Sequence, residues 1–206
     1  FFFFFFLMSL PGDPAEILDF LFLGSRLTAQ NKDLLKSQGI THIINAAVEE
    51  ENYHPDDFIY FRLDLDDSME ENISQCFEQS FQFIEDSKNN GGKVFVHCQA
   101  GISRSATIVL AYLILREENS MSLKEAYIHT LDKRRNIGPN FGFMTALTEL
   151  EKQIHPGEET TFSLKEYQVD QLIQMGFEES VAQEATDQAM GRFDLAINFA
   201  LNTTKR

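Results

Sequence analysis

A cysteine and an arginine stand six positions apart in HCQAGISRS, which runs from His97 to Ser105. The cysteine closes Val94-Phe95-Val96-His97, a run of strand character, and the arginine opens RSATIVLAYLIL, an apolar run of helical length. A free thiol has a pKa of about 8.5 and is mostly protonated at neutral pH, so a nucleophilic Cys98 needs its thiolate stabilised. A strand–loop–helix unit supplies this. Gln99, Ala100, Gly101, Ile102 and Ser103 can turn their backbone N–H groups inward as an anion-binding nest, and the helix that follows adds its positive end. Gly101 permits a bend with positive φ. Arg104 offers a rigid fork of donors that matches a tetrahedral dianion. The same cradle would hold a phosphoryl group in line with the sulfur. A lone cysteine at a strand end is more often a core residue; the whole string together favours the nucleophile.

Such a reaction also needs a proton donor. Asp64, Asp66, Asp67, Glu70 and Glu71 crowd one segment after a strand, and runs of this kind are mostly solvated loop. No metal or cofactor is expected. The histidines at 42, 54, 97, 129 and 155 never fall three or four apart, and only Cys76 and Cys98 could add thiolates.

The elements that must position these groups can be read along the chain. ILDFLFLGS, from Ile17, reads as a strand ending at Gly24, and LTAQNKDLLKSQG as a helix closed by Gly39. Segments 41–47 and 58–65 read as strands, and SQCFEQSFQFIEDSKNN as a helix stopping at Gly91-Gly92. KVFVHC is near-continuously apolar, as expected of a strand buried on both faces of an α/β sheet. Helices are expected over 104–117, 122–135 and 140–154. HPGEETTFS, 155–163, lacks periodicity and reads as a linker. Three short amphipathic patterns follow at 165–174, 179–190 and 193–202, enough for a small three-helix bundle.

The 206 residues carry 32 acidic and 17 basic side chains, a net charge of −15. That excludes nucleic acid and anionic membrane as partners, since both require a positive footprint. Two cysteines cannot frame a disulfide-stapled fold, so a reducing compartment, cytoplasmic or also nuclear, is expected. Residues 1–16 are expected to be an unstructured extension. FFFFFFL is too short for a membrane span of about 20 residues, lacks the flanks of a signal peptide, and reads as an upstream continuation of the frame with Met8 as the natural start.

HCQAGISRS resembles the His-Cys-x5-Arg-Ser/Thr signature of the cysteine-dependent protein phosphatases, in detail the dual-specificity branch. The resemblance extends from about Ile17 to Ile154 through FLGS (22–25), GITHIINAA (39–47), AYLIL (111–115) and IGPNFGF (137–143). It implies an α/β catalytic domain over 17–154 with a central sheet flanked by helices. The implied chemistry is hydrolysis of phosphotyrosine and phosphoserine or phosphothreonine in protein substrates, through a phosphocysteine. Cys98 would be the nucleophile, residues 99–104 the phosphate cradle, and Ser105 the donor to the leaving thiolate. His97 would hold the loop and tune the thiol, and Asn140 would brace the loop. The family places its acid five residues before an Asn followed by an aliphatic residue. Asn72 and Ile73 then select Asp67, with Asp66 the fallback. The uncharged loop favours a single phosphate over a polyphosphate. Ala146 departs from the Gln that many relatives carry, which is expected to loosen local packing.

The tail, 169–202, resembles a ubiquitin-associated domain in its Met175-Gly176-Phe177 loop. The resemblance implies a domain over 164–206 that meets an apolar patch of ubiquitin through Met175, Gly176, Phe177 and Leu201. The alternative keeps Met175 and Phe177 in the core of a structural cap, and Ala200-Leu201 departs from the paired Leu of many relatives. A second reading of the whole chain is a ubiquitin-pathway adaptor whose first domain binds phosphoproteins without turning them over.

Overall fold

The computed structural model describes residues 13–157 and 159–203, and the chain divides between 158 and 159 into two compact units. In the first, strands β1 (Ala15–Leu18), β2 (Leu21–Ser25), β3 (His42–Asn45), β4 (Ile59–Arg62) and β5 (Val94–Cys98) form one sheet in the order β1-β2-β5-β3-β4. β1 runs antiparallel to β2, and the remaining pairings are parallel. β5 lies at the centre and all five of its residues are buried.

Side-chain alternation on β5 sorts the molecule into layers. Phe95 joins Phe22 and Ile43 on one face, packed with Ala29, Leu35, Ile40 and Phe58. Ala29 and Leu35 come from α1 (Arg26–Ala29) and α2 (Lys32–Ser37). Val94, Val96 and Cys98 point to the opposite face, toward the layer of α3 (Phe77–Asn89), α4 (Arg104–Leu115), α5 (Leu123–Lys133) and α6 (Phe141–Ile154). α4 is buried from Arg104 to Ile114, as a helix apolar all round must be.

Several expectations need correction. ILDFLFLGS is a hairpin and not one strand: Leu18 pairs with Leu21 across a turn at Asp19-Phe20. A continuous strand would carry Asp19 into the sheet, whereas the turn leaves it exposed. Ala15 and Glu16 belong to β1, so the folded unit starts before Ile17; the reading of residues 1–12 lies outside the described residues. The helix expected through Gln38 is split, because Asn31 caps α2 by accepting from the Leu34 N–H at 3.1 Å. α3 is preceded by a 3-10 turn, Ile73–Cys76. Ala146 lines an open groove with Phe77, Leu115, Leu150 and Ile154.

The second unit holds α7 (Leu164–Gln174), α8 (Glu179–Ala189) and α9 (Phe193–Thr203). Alanines 182, 185, 189, 196 and 200 let the helices approach closely around Val169 and Leu172. Among the described residues, no helix is long and apolar enough to cross a membrane.

Candidate active site

The parallel register brings Ser25, Asn45 and Cys98 to the carboxyl ends of β2, β3 and β5, the edge where open α/β sheets hold ligands. From Cys98 the chain turns through residues 99–103 into α4. Gly101 adopts φ +69°, and a Cβ there would lie 2.4 Å from the Gly24 oxygen and 2.7 Å from an Arg134 nitrogen. Only glycine fits so close to the end of β2. Arg134, at the end of α5, donates to the Gly101 oxygen at 2.8 Å and the Ala100 oxygen at 3.0 Å. Drawing those carbonyls outward turns N–H groups toward the sulfur. The Gly101 N–H donates to Cys98 Sγ at 3.3 Å, and the Ser105 hydroxyl donates to the same sulfur at 3.2 Å. The thiol itself is 1% exposed.

Arg104 stands at the first turn of α4 with its guanidinium buried. Nη1 and Nη2 donate to the two oxygens of Glu49, both at 2.6 Å, and Nη1 also reaches the Leu65 oxygen at 3.1 Å. Asp67 approaches from the other side, its Oδ2 3.7 Å from Nε. Its Oδ1 accepts from the Ser103 hydroxyl at 2.7 Å and the Asn140 amide at 3.0 Å. Asn140 also donates its backbone N–H to Ser103 Oγ at 3.1 Å and its amide to the Ser68 oxygen at 3.1 Å. It caps α6 as well, accepting from the Phe143 N–H at 3.0 Å. One residue therefore ties the helix, the cysteine loop and the acid loop together. Asp66 is exposed, and its backbone N–H donates to Glu71 at 3.2 Å.

Cys98, Arg104, Ser105, Ser103, Asn140 and Asp67 thus meet at one place. Gln99 and Ala100 are exposed at the loop's outer turn, and Ile102 is half-buried. Glu49 and Arg134 carry no role in the sequence reading. Glu49 is one of three consecutive glutamates and Arg134 one of three consecutive basic residues.

His97 is fully buried behind the loop, stacked on Phe95 with ring centroids 5.7 Å apart, and its Nδ1 lies 3.4 Å from the Cys98 oxygen. Burial pushes its pKa down to about 4. The folded state therefore resists a proton that the unfolded chain takes up near the ordinary pKa of about 6.5. This stability is full above about pH 6.5 and declines as pH falls toward the folded value. Between pH 7 and pH 5 the chain is expected to lose on the order of 2 kcal/mol from this residue. Urea midpoints at the two pH values check it. His97→Phe, which cannot titrate, should show a smaller drop, and an equal drop would refute the assignment.

In the second unit, Met175 is 55% and Leu201 44% exposed, and Gly176 turns the chain with φ +96°. Phe177 is half-buried, between the exposed position expected of it and the core position of the alternative. Its N–H donates to the Leu172 oxygen at 3.2 Å, and this turn folds the ring against the Val169–Ala200 cluster. Met190, absent from the sequence reading, is 90% exposed beside Gly191.

Comparison with known proteins covers the first unit. The family model described as dual specificity phosphatase, catalytic domain, matches residues 21–153. Human dual specificity protein phosphatase 1 is 45% identical over 143 residues, 69% of this chain and 38% of that protein. The Arabidopsis thaliana protein of the same name is 40% identical over 146 residues, 71% of this chain and 73% of its own. The crystal structure of human tyrosine phosphatase-like serine/threonine/tyrosine-interacting protein is 38% identical with a TM-score of 0.64, covering 69% of this chain and 97% of that one. The chain spans about 38% of the length of the vertebrate dual specificity protein phosphatase 1 relatives it matches. The matched residues end before the second unit.

Proposed function

The chain belongs to the dual specificity phosphatase family, and on that premise we propose that it hydrolyses phosphate monoesters on tyrosine and on serine or threonine of phosphoproteins through a phosphocysteine. The observation that carries the reading is the convergence on Cys98 Sγ of two donors, Gly101 N–H and Ser105 Oγ–H, with Arg104 and Asp67 flanking the same loop. In the first step the Cys98 thiolate attacks phosphorus. The bond to the leaving oxygen breaks, and Asp67 in its acid form gives that oxygen its proton. In the second step the Asp67 carboxylate takes a proton from water as the water attacks phosphorus. The S–P bond breaks, and the Ser105 hydroxyl stabilises the departing thiolate. Arg104 and the loop N–H groups bind the phosphoryl oxygens through both steps. No step uses a metal, so turnover of p-nitrophenyl phosphate by the full chain should be unchanged by a chelator. A rate lost with the chelator and restored by a divalent ion would refute the metal-free mechanism, and absence of turnover under either condition would refute hydrolysis.

For the second unit the reading is a three-helix ubiquitin-associated domain presenting Met175, Gly176 and Leu201 to an apolar patch of ubiquitin, in a cytoplasmic or nuclear setting. Exposed Met and Leu beside a glycine turn support it. Phe177 is half-buried beside them, and on so few apolar residues a contact below the standard interface size, and a transient one, is expected. Titrating ubiquitin into the isotope-labelled chain should move resonances of residues 175–177 and of Leu201. Resonances unmoved at millimolar ubiquitin would leave a structural cap.

A further inference from the structure

We infer that Glu49 is a positioning residue for Arg104, occupying one edge of the guanidinium so that the adjacent edge is presented to a bound phosphate. The inference rests on the phosphate site proposed above and concerns how that site is made ready.

The donors can be accounted for one by one. A guanidinium carries five N–H groups in a plane. Both Nη1 hydrogens are spoken for, by Glu49 Oε2 and the Leu65 oxygen, and one Nη2 hydrogen goes to Glu49 Oε1. Two remain, on Nε and Nη2, and they point along the same side edge of the plane. Nε is buried with no hydrogen-bond partner among the described residues, and Asp67 Oδ2 at 3.7 Å is too far to serve. A buried donor left unmet is costly. Two oxygens of a phosphoryl group are spaced to accept from that edge together. Glu49 therefore holds the guanidinium without taking the donors that a phosphate needs.

The loop bearing Glu49 is fixed by contacts that do not involve Arg104. Asn45, fully buried at the end of β3, donates to the Glu50 oxygen at 2.9 Å and to Asn52 Oδ1 at 3.1 Å. Arg62 donates to the Glu50 oxygen and, at 2.8 Å, to the Val48 oxygen. The Tyr53 hydroxyl donates to the buried Glu50 carboxylate, and Arg26 lies 3.6 Å from that group. Glu50 is thus turned inward and Glu49 toward Arg104. A carboxylate on such a loop acts as a fixed clamp, and the order of Arg104 is established before substrate arrives.

The opposite reading, that Glu49 mimics substrate and must be displaced, makes a prediction of opposite sign. In the full chain, Glu49→Ala and Glu49→Gln should raise the Kd for inorganic phosphate about tenfold and lower kcat/KM for p-nitrophenyl phosphate by about 10–100-fold, with Glu49→Asp recovering part of both. The Arg104 Nε–H resonance, held in one environment in the parent chain, should broaden or shift in the Ala and Gln variants. An unchanged melting transition separates these effects from loss of fold. Tighter phosphate binding in the Ala variant would overturn the inference in favour of displacement, and unchanged affinity, rate and resonance would overturn it outright. Failure of the functional reading would look different. A parent chain that binds phosphate without turning over substrate defeats hydrolysis and leaves the phosphate arm decisive for Glu49. A parent chain that binds no phosphate defeats both.

Discussion

Replacing Cys98 by Ser is expected to abolish turnover of aryl and protein phosphates, by on the order of 10⁴-fold or more, while inorganic phosphate still binds within a few-fold of its original affinity. Removing a nucleophile on which the other groups depend typically costs this much or more. A serine hydroxyl is far less nucleophilic than a thiolate near neutral pH. Ser105 and the Gly101 N–H donate toward the position of Sγ, as partners for an anion. Binding depends on other atoms, the loop N–H groups and Arg104, which the substitution leaves in place. Steady-state rates together with phosphate titration separate the two. Residual turnover close to that of the parent chain would sink the nucleophile assignment, and loss of phosphate binding would show that the sulfur itself organises the loop.

Asp67→Asn should produce the second large effect, and its size should depend on the leaving group. Asparagine keeps an oxygen that can accept from Ser103 and Asn140, so the acid loop should stay docked. What disappears is the transferable proton. General acid catalysis typically contributes about 10²–10⁴-fold. Substrates with basic leaving oxygens, such as alkyl phosphates and phosphoserine peptides, should slow by that amount. Aryl phosphates with strongly acidic phenols should slow far less, because their leaving oxygen needs little protonation. A plot of rate against leaving-group pKa reads this directly. If Asp67→Asn were silent and Asp66→Asn steepened the plot, the acid would be one residue earlier.

How much of this was legible beforehand depended on whether function was written in neighbouring residues. The β5–loop–α4 unit is local: strand character, two loop residues that suit tight turns, and an arginine opening an apolar helix all lie within Val94–Leu115. The layers on either side of β5 were equally plain, since buried parallel strands read as apolar runs. Contacts between distant segments were not legible. Glu49 meets Arg104 across 55 residues, and Arg134 meets the loop across 33. Each sits in a run of like charges whose members are usually solvated, and nothing in its type distinguishes it from its neighbours. Asp67 lies in a similar run and was picked out only by register with Asn72. The hairpin at Asp19-Phe20 is not legible because Ile17, Leu21 and Leu23 suit one strand as well as two. For Phe177 the loop composition allows either surface or core, and it cannot reveal that the turn at Gly176 rests the half-buried ring against the helices.

The central claim is that hydrolysis passes through a phosphoryl group carried on Cys98. Quenching the full chain in acid during turnover of p-nitrophenyl phosphate, followed by intact mass measurement and peptide mapping, tests it directly. The account predicts that a fraction of the protein gains the mass of one phosphoryl group, located on the peptide containing Cys98 and absent from Cys98→Ser. A phosphoryl group mapped to any other residue would contradict it. So would sustained turnover with no phosphorylated protein at any quench time, paired with an undiminished rate in Cys98→Ser.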